Sequence, residues 1–235
     1  MRLPVAILAG GLATRLKPIT EVIPKALVDV AGKPFVLRQL DYLRQQGVTR
    51  VVLCVGYLGE QIEAVVGDGG QAGLSVSYSR DWPKLLGTGG ALKAALPRLG
   101  SRFLVLYGDS FLPIDFASVE RAFLASGKLA MMTVQRNADM WDKSNVLFEG
   151  NVIVEYNKCA PSPAMKHIDY GLGALSAEVL ADEDPAEPFD LADIYRRLAL
   201  QGMLAGYEVK QRFYEIGSHR GLAETVSYFE GRGEG

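Results

Sequence analysis

The chain has 235 residues, of which 49% are hydrophobic and 22% are charged, and its formal net charge is -2 at pH 7. This composition suits one domain with a sizeable core over residues 1–235, and the balanced charge argues against a nucleic-acid-binding surface. No apolar run approaches the roughly 18 residues of a membrane-spanning helix, and the apolar stretch at the N-terminus is short for a signal peptide. Two cysteines without metal-ligand spacing are typical of a reduced protein, so we expect a cytoplasmic protein that works without a membrane.

The first half of the chain alternates short apolar runs with amphipathic stretches. PVAILA at 4–9 predicts a buried strand that ends in Gly10-Gly11, and PFVLRQLDYLRQQ at 34–46 predicts a helix. Strands alternating with helices predict βαβ units, hence an α/β fold with a largely parallel sheet. The other elements predicted in this half are strands at 48–56, 74–79 and 103–109 and helices at 59–69 and 87–99.

The pattern loosens after residue 110, which predicts an elaborated C-terminal half of the same domain. No internal repeat or low-complexity linker separates residues 1–110 from residues 111–235. The elements predicted here are a helix at 116–127, a strand at 129–136, a hairpin at 145–158, a strand running into a helix at 168–180, a helix at 191–202, two short strands within 204–217 and a closing helix at 221–231.

A glycine loop with nearby cations follows the first strand. LAGGLATRLKP at 8–18 contains Gly10, Gly11, Arg15 and Lys17, and Lys25 comes soon after. Glycine backbone can approach an anion closely, and arginine offers a rigid fork of donors for phosphate oxygens. Phosphate binding is one interpretation of this stretch, and a structural turn with solvated cations is the other. The segment matches neither the Walker loop nor the GxGxxG fingerprint.

A second glycine run, LGTGGALK at 86–93, also precedes a helix and contains Thr88, a potential hydrogen-bond donor. Together the two loops favour a ligand with a phosphate end and a flat end. Asp109 ends an apolar strand, where a carboxylate can ligate Mg²⁺ beside phosphates, although a helix cap is the alternative. With Lys158 and Glu215, these residues supply the groups needed for metal-assisted phosphoryl or nucleotidyl transfer.

A longer pattern points to a known family. LAGGLATRLKPIT…PKALVDVAGKPF resembles the signature of the sugar-1-phosphate nucleotidyltransferases, the NDP-sugar pyrophosphorylases, and the similarity extends over residues 4–230. Within the family the chain most resembles the bacterial heptose 1-phosphate guanylyltransferases and the short uridylyltransferases of cell-wall salvage, and residues 37–62 are most similar to the heptose branch. The resemblance implies a Rossmann-like α/β fold and an enzyme that joins a nucleoside triphosphate to a sugar 1-phosphate with Mg²⁺ and releases pyrophosphate, as in bacterial surface polysaccharide or cell-wall precursor synthesis. It leaves the nucleobase open and allows a homodimer.

The resemblance also implies roles for individual residues, with residues 1–110 as the nucleotide-binding half and residues 111–235 as the acceptor-binding half. Arg15 and Lys25 are the catalytic cations, and Asp109 and Glu215 are the metal ligands. The residues expected to bind the nucleotide are Leu8, Ala9, Gly10, Gly11, Thr14, Arg15, Lys25, Gly87, Thr88 and Gly90. The residues expected to bind the acceptor are Asn157, Lys158, Asp169 and Tyr170.

Departures from the family pattern concern mainly the acceptor side. Asn157 stands where glutamate is usual, and Asp169 and Tyr170 occupy the expected acceptor pocket. An acid beside an aromatic ring also suits a cationic head group, which leaves open a cytidylyltransferase acting on phosphocholine or a phosphorylated amino-acid derivative. A non-catalytic nucleotide-sugar sensor is the third alternative, and the presence of Arg15, Lys25 and Asp109 argues against it.

Overall fold

The computed structural model describes residues 2–12, 14–81, 83–137 and 143–231. Within these ranges the chain forms thirteen strands and six α-helices. The strands are β1 (Val5–Leu8), β2 (Asp29–Val30), β3 (Lys33–Pro34), β4 (Arg50–Val55), β5 (Ser75–Arg80), β6 (Arg102–Tyr107), β7 (Ser110–Phe111), β8 (Ala130–Arg136), β9 (Val146–Glu149), β10 (Val152–Tyr156), β11 (His167–Ser176), β12 (Leu204–Val209) and β13 (Tyr214–Glu215). The helices are α1 (Phe35–Gln45), α2 (Gly59–Val66), α3 (Gly87–Leu99), α4 (Phe116–Ser126), α5 (Leu191–Leu200) and α6 (His219–Glu230). Among the described residues, no helix combines the length and apolar character needed to cross a bilayer.

One sheet of nine strands draws on both halves of the chain, in the order β5-β4-β1-β6-β11-β8-β12-β10-β9. Strands β5, β4, β1 and β6 are parallel, and the continuous apolar runs of β4, β1 and β6 fit strands that are covered on both faces, while β5 lies at the edge of the sheet with an alternating pattern. Beyond β6 the sheet mixes antiparallel neighbours with the parallel pair β8–β12. The predicted α/β fold class is confirmed, and the sheet as a whole is mixed.

Helices cover both faces of the sheet, and the side chains of β1 alternate between the two layers. Val5 and Ile7 pack in one core with α1, α2 and α4, while Ala6 packs in the other core with α3 and α5. A third, smaller cluster lies beneath α6 and includes Phe111 and Ile216. Burying one large apolar side chain contributes about 1.5–3 kcal/mol to stability. These clusters therefore stabilise the edge of the sheet at which the site lies.

The strand order changes direction at β1. The chain passes from β1 to β4 and β5 on one side and then returns to β6 on the other side of β1. Ligands of open α/β sheets bind at such a switch point, beyond the carboxyl ends of the strands. The segments that leave β1 and β6 at this point are Ala9–Gly11 and Gly108-Asp109, and both line one cleft.

Most predicted elements are present with small shifts of their ends. The helix predicted at 87–99 has those bounds, and the hairpin predicted at 145–158 turns at Asn151, which has a positive φ of 66°. The two strands predicted within 204–217 do not pair with each other. Instead, β12 joins the main sheet and β13 pairs with β7, because the intervening residues carry the chain to a different part of the molecule.

Candidate active site

A first cleft, called here the nucleotide cleft, has a volume of about 200 Å³ and lies at the carboxyl ends of β1, β4 and β6. Its walls are the loop after β1, the start of α3 and the end of β6. The residues that line it include Leu8, Ala9, Gly10, Gly11, Lys25, Asp81, Gly87, Thr88 and Asp109. Among the residues predicted to bind the nucleotide, Thr14 begins a 3-10 turn at Thr14–Leu16, and Arg15 lines a second cleft.

Two glycines permit the close approach of backbone segments around the nucleotide cleft. A side chain at Gly108 would lie 2.6 Å from the carbonyl oxygen of Leu8, and the Gly108 N–H donates to that same oxygen at 3.0 Å. A side chain at Gly10 would lie 3.1 Å from the amide nitrogen of Gly56. Strands β1 and β6 can therefore bring their ends together, and the N–H groups of the glycine loop stay accessible to a ligand.

The second glycine run is explained partly by packing. A side chain at Gly87 would lie 2.5 Å from the carbonyl oxygen of Phe189, and Gly90 is buried away from the cleft against Leu86. The hydroxyl of Thr88 donates to Asp190 Oδ1 and accepts from the N–H of Leu191, both at 2.8 Å. Gly87 and Thr88 line the nucleotide cleft as expected, but Thr88 also ties the start of α3 to the start of α5.

An ion pair stands where the two clefts meet. The ammonium of Lys25 lies 2.7 Å from Asp109 Oδ2, and the hydroxyl of Ser110 donates to Asp109 Oδ1 at 3.2 Å. Lys25 begins the 3-10 turn Lys25–Leu27, while Asp109 directly follows β6 and its glycine. Asp109 lines both clefts, so a group bound to it can reach ligands in either one.

The second cleft, called here the acceptor cleft, has a volume of about 440 Å³. It shares Tyr107 and Asp109 with the nucleotide cleft. Its charged lining residues have both signs, with several cations suited to phosphate oxygens. These charged residues are Arg15, Asp109, Lys158, Asp169, Arg212, Glu215, Arg220 and Glu224.

Asp169 and Lys158 form the polar end of the acceptor cleft. Asp169 accepts hydrogen bonds from the N–H of Gly171 at 3.1 Å and from the hydroxyl of Tyr156 at 3.3 Å. Burial raises the pKa of the Asp169 carboxyl above its usual value, and the nearby charge of Lys158 opposes that rise. The Lys158 ammonium lies 5.5 Å from the ring centroid of Tyr107 and 5.7 Å from that of Tyr156.

The other two predicted acceptor residues have different surroundings. Tyr170 lines the acceptor cleft as expected, but it is only 1% exposed, because its ring packs edge-on against Phe213 at 5.8 Å between centroids. Asp169 and Tyr170 lie inside β11, next to an irregularity in its pairing with β8, rather than at the turn expected before the strand. Asn157 is not among the residues that line either cleft. Its side-chain oxygen accepts from the N–H groups of Cys159 and Ala160, so it stabilises the turn that presents Lys158.

Arg15, Asp109 and Glu215 surround one small space beside Gly217. A Cβ built on Gly217 would lie 2.7 Å from Glu215 Oε2, 3.3 Å from Asp109 Oδ2 and 3.6 Å from a guanidinium nitrogen of Arg15. Strand pairing places Glu215 opposite Ser110, the neighbour of Asp109. Glu215 also accepts from the Gly217 N–H and, at 2.6 Å, from the hydroxyl of Ser218, so its carboxylate is directed towards the start of α6.

This pair of acids fits a divalent cation. Mg²⁺ is commonly held by one or two carboxylates together with substrate phosphates and water, and the glycine at 217 leaves the space between Asp109 and Glu215 open. Among the described residues, no group of three or more His, Cys, Asp and Glu side chains could form a complete protein cage. Water molecules in the free protein, and phosphate oxygens once substrate is bound, would therefore complete the coordination, and Asp109 would have to exchange its Lys25 partner for the metal.

Asp81 is a residue of the nucleotide cleft that the sequence interpretation missed. It directly follows β5, and its Oδ2 accepts from the N–H of Leu86 at 3.1 Å. Its Oδ1 is buried and has no hydrogen-bond partner within the described part of the chain. Burial raises the pKa of this carboxyl. The sequence does contain a signal for Asp81. It is an acid directly after the carboxyl end of a parallel strand, the same strand-end rule that indicated Asp109.

Cys54, at the wall of the nucleotide cleft, has no nucleophilic role. Burial, together with the charge of Asp81, raises the pKa of its thiol to about 12. The reactive form of cysteine is the thiolate, which is therefore negligible at neutral pH. The Cys54 side chain instead packs in the core between β4 and α3.

A cluster of charges at the mouth of the acceptor cleft was also missed. Arg212 forms an ion pair with Glu224, and Arg220 donates to the other oxygen of Glu224 at 2.9 Å. These residues come from the loop before β13 and from α6. No strand-end or glycine pattern marks them, because only tertiary folding brings α6 to the cleft.

Fold and clefts together define an α/β protein built to hold phosphorylated ligands at the switch point of its sheet. Residues 5–141 match the nucleotidyl transferase family model, which is more than half of the chain. D-glycero-alpha-D-manno-heptose 1-phosphate guanylyltransferase of Campylobacter jejuni is 32% identical over 197 residues, covering 82% of this chain and 86% of the relative. The chain belongs to the nucleotidyl transferase family.

Further similarities agree with this family. N-acetylmuramate alpha-1-phosphate uridylyltransferase of Neisseria meningitidis is 43% identical over 113 residues, which is 48% of this chain and 49% of that protein. HddC from Yersinia pseudotuberculosis, solved in complex with GMP-PN, has a TM-score of 0.79 at 27% identity, covering 97% of this chain and 100% of that chain. A putative glucose-1-phosphate thymidylyltransferase from Bacillus anthracis, solved with sucrose, has a TM-score of 0.86 at 22% identity, covering 97% and 95%, which shows a shared fold.

The predicted family and enzyme class are confirmed. The relatives are sugar-1-phosphate nucleotidyltransferases, and they include the heptose 1-phosphate guanylyltransferase type to which residues 37–62 were most similar. The roles of the individual site residues stay predictions. So do the Mg²⁺ requirement, the homodimer, the cytoplasmic location and the division into residues 1–110 and 111–235.

Proposed function

We propose that this protein joins a nucleoside triphosphate and a sugar 1-phosphate into an NDP-sugar and releases pyrophosphate. The observation that carries the proposal is the meeting of two clefts at Asp109, with Lys25 paired to it and Arg15 beside it. One cleft has a glycine loop suited to a nucleotide, and the other has cations and hydrogen-bonding groups suited to a sugar phosphate. Residues 1–110 supply most of the first cleft and residues 111–235 most of the second.

In the proposed reaction, a phosphate oxygen of the acceptor attacks the α-phosphorus of the nucleotide in line with the leaving group. A bond forms between these two atoms, the bond from the α-phosphorus to its bridging oxygen breaks, and pyrophosphate departs with the electron pair. A sugar phosphate is already a nucleophile near neutral pH, so the chain needs no general base. Catalysis then depends on positioning and on neutralising charge.

Each cation has a separate task in this proposal. Lys158 holds the acceptor phosphate, and Lys25 lies where it can contact both the α-phosphate and the incoming phosphate. Arg15, on the acceptor side of Asp109, neutralises charge as it develops on the transferring and leaving groups. Asp109 and Glu215 would hold Mg²⁺, which lowers the repulsion between the phosphates when it is bound.

The acceptor cleft favours a sugar over a cationic head group. A cation would require both the charge of Asp169 and the ring of Tyr170, but this ring is buried against Phe213. The positive charge beside Asp169 is already supplied by Lys158. Sugar hydroxyls would instead donate to the Asp169 carboxylate, so the phosphocholine-type alternative is the weaker one.

The carboxylate of Asp81 at the wall of the nucleotide cleft favours guanine as the base. A carboxylate is an acceptor only, so it favours a base that presents donors to it. Guanine presents two neighbouring donors, its ring N–H and its amino group, whereas uracil presents one ring N–H between two carbonyl oxygens that would repel the carboxylate. The nucleotide proposed for this protein is therefore GTP.

Pyrophosphate release from a matrix of nucleoside triphosphates and sugar 1-phosphates, including heptose and hexose forms, tests the proposal. We expect turnover with GTP and at least one sugar 1-phosphate, and a requirement for Mg²⁺. A preference for UTP would overturn the guanine assignment, and turnover only with a phosphorylated amine would overturn the sugar assignment. The product would serve bacterial surface polysaccharide or cell-wall precursor synthesis in the cytoplasm.

A further inference from the structure

The buried side chain of Gln39 holds the segment that carries Asp109. Gln39 lies on α1 and is 2% exposed. Its Nε2 donates to the carbonyl oxygens of Ser110 at 2.8 Å and of Tyr107 at 3.2 Å. These two carbonyls flank the Gly108-Asp109 pair. We propose that Gln39 is a positioning residue that fixes the Asp109 carboxylate for metal binding, an inference that rests on the function proposed above.

The chemistry of this position requires a donor with two N–H groups. Both partners are carbonyl oxygens, which accept and cannot donate. The rest of the buried face of α1 is apolar, with Val36, Leu40 and Leu43 in the core. The Oε1 of Gln39 is buried and has no partner among the described residues, so burying this oxygen lowers the stability of the fold. The two hydrogen bonds that Nε2 donates are the interactions that offset this cost.

Three elements hold the backbone around Asp109 from different directions. The Gly108 N–H donates to Leu8 of β1 at 3.0 Å, and the Ile216 N–H donates to the carbonyl of Asp109 at 2.9 Å. Gln39 adds the only anchor from the helix layer that the described residues show for this segment. Without it, two carbonyls lose their donor, and the segment can shift and turn the carboxylate away from the metal position. Loss of such outer partners typically lowers metal affinity about 10–100-fold.

The chain offers a matched control in Gln135, which is 7% exposed. Its Nε2 donates to the carbonyl oxygens of Gln211 at 2.7 Å and Lys210 at 3.5 Å, and its Oε1 also lacks a partner in the described ranges. Gln39→Met and Gln135→Met therefore remove the same chemical group from buried sites. The first substitution releases the segment around Asp109, whereas the second releases the carbonyls of Lys210 and Gln211, which line neither cleft and precede the loop to Glu215.

The test is titration of Mn²⁺ into each protein, with free Mn²⁺ followed by electron paramagnetic resonance and folding followed by Tm. We expect Gln39→Met to raise the Mn²⁺ dissociation constant about tenfold or more, and Gln135→Met to leave it within about twofold of wild type at a similar loss of Tm. Gln39→Asn keeps the amide but is one methylene shorter. It should give an intermediate dissociation constant, and it replaces the Met variant if that variant does not fold.

Asp109→Asn distinguishes an error in the positioning role of Gln39 from an error in the proposed metal site. If Asp109→Asn loses Mn²⁺ while the Gln39 variants bind it like wild type, the positioning role is wrong and the metal site stands. If Asp109→Asn itself binds Mn²⁺ like wild type, the proposed metal site is wrong, and the role of Gln39 is overturned with it. Equal weakening in the Gln39 and Gln135 variants would also overturn the positioning role, because it would reflect lost stability alone.

Discussion

The ammonium of Lys25 lies 2.7 Å from the Oδ2 atom of Asp109, although 84 positions separate the two residues in sequence. Both side chains are partly buried, with 21% and 27% of their surfaces exposed. In the proposed reaction the same lysine must hold phosphates, and the same carboxylate must hold Mg²⁺. The pair therefore represents a ligand-free arrangement in which each group neutralises the other until substrates arrive.

Lys25→Met should have opposite effects on metal binding and on turnover. Mn²⁺ should bind the free enzyme more tightly, because the ammonium no longer competes for Asp109. Turnover should fall about 10²–10³-fold, the loss typical of one charge donor in a transition state. Lys33→Met is the control, since Lys33 also pairs with an aspartate, Asp41, but lines neither cleft. Weaker Mn²⁺ binding by Lys25→Met would contradict this arrangement.

Arg15→Ala should lower kcat about 10²–10³-fold and change KM less, because Arg15 is assigned to charge that develops during the reaction. Lys17→Ala is a suitable control. Lys17 is exposed and lies 3.4 Å from Glu21, and neither residue lines a cleft. The measurement is steady-state pyrophosphate release. Activity of Arg15→Ala within a few-fold of wild type would remove Arg15 from the reacting centre.

Glu215→Gln should raise the Mg²⁺ concentration for half-maximal rate and also lower Tm. The second effect follows from its bonds to Gly217 and Ser218, which a neutral amide accepts less strongly. Asp109→Asn should abolish Mg²⁺-dependent activity with a smaller change in Tm, since an ion pair that still contacts solvent, as this one with Lys25 does, contributes about 0–1 kcal/mol. A lower Tm with unchanged Mg²⁺ dependence would show that Glu215 stabilises the start of α6 and does not bind the metal.

How much of the site can be predicted from the sequence depends on whether a residue's role is set by its neighbours in sequence or by distant residues. Gly10, Gly87 and Asp109 follow local strand and helix patterns, and the strand-end rule places them at one edge of a parallel sheet. The same rule applied to β5 would have found Asp81. These patterns can be recognised in the sequence because strand and helix periodicity depends on neighbouring residues.

The remaining parts of the site arise from tertiary packing. Gln39 belongs to an otherwise apolar helix face and gives no sign of its carbonyl partners 68 and 71 positions away. The sequence predicts Thr88 as a hydrogen-bond donor to a ligand, yet its hydroxyl bonds Asp190 and Leu191 at the start of α5, which lie more than 100 positions away. Strand order beyond β6 was likewise not predictable, since antiparallel and parallel strands with similar apolar runs can be arranged in several ways.

Asp81→Asn should stabilise the free enzyme in a pH-dependent manner. Burial raises the pKa of Asp81 in the fold, so its contribution to stability is fully present below the unfolded pKa of about 4 and is lost as pH rises through the folded pKa. Asparagine resembles the protonated form. The variant should therefore have a higher Tm than wild type at pH 8, and the gain should vanish as the pH falls to about 4.

Asp115→Asn provides a control with the opposite sign. A hydrogen bond from Ser118 lowers the pKa of Asp115 at the start of α4, so its stabilisation is present at neutral pH and is lost as pH falls through the folded pKa. This variant should have a lower Tm at pH 8. Thermal melts from pH 8 down to about pH 2 measure both trends, because the Asp115 stabilisation is lost only below the unfolded pKa of about 4, and GTP turnover of Asp81→Asn should fall. A stabilised Asp81→Asn that retains full GTP turnover would remove Asp81 from base recognition.

Asp169→Asn should raise the acceptor KM roughly five- to tenfold, because a hydrogen bond from a sugar hydroxyl is worth roughly 1.5–3 kcal/mol to a carboxylate and about 0.5–1.5 kcal/mol to the neutral amide oxygen that replaces it. The nucleotide KM should change little, since Asp169 lines only the acceptor cleft. With a sugar acceptor, added salt should affect the wild-type KM only through phosphate binding. A cationic acceptor would instead give a KM that rises clearly with ionic strength.

Tyr156→Phe tests whether acceptor binding depends on the Asp169 carboxylate itself or on the hydrogen bond that this carboxylate accepts from Tyr156. It removes the hydroxyl that donates to Asp169 but leaves the charge in place, so its acceptor KM should stay closer to wild type than that of Asp169→Asn. Steady-state rates with a sugar 1-phosphate at two salt concentrations give both comparisons. If Tyr156→Phe weakens the acceptor as much as Asp169→Asn does, the cleft depends on its buried network rather than on a direct bond from the sugar to Asp169.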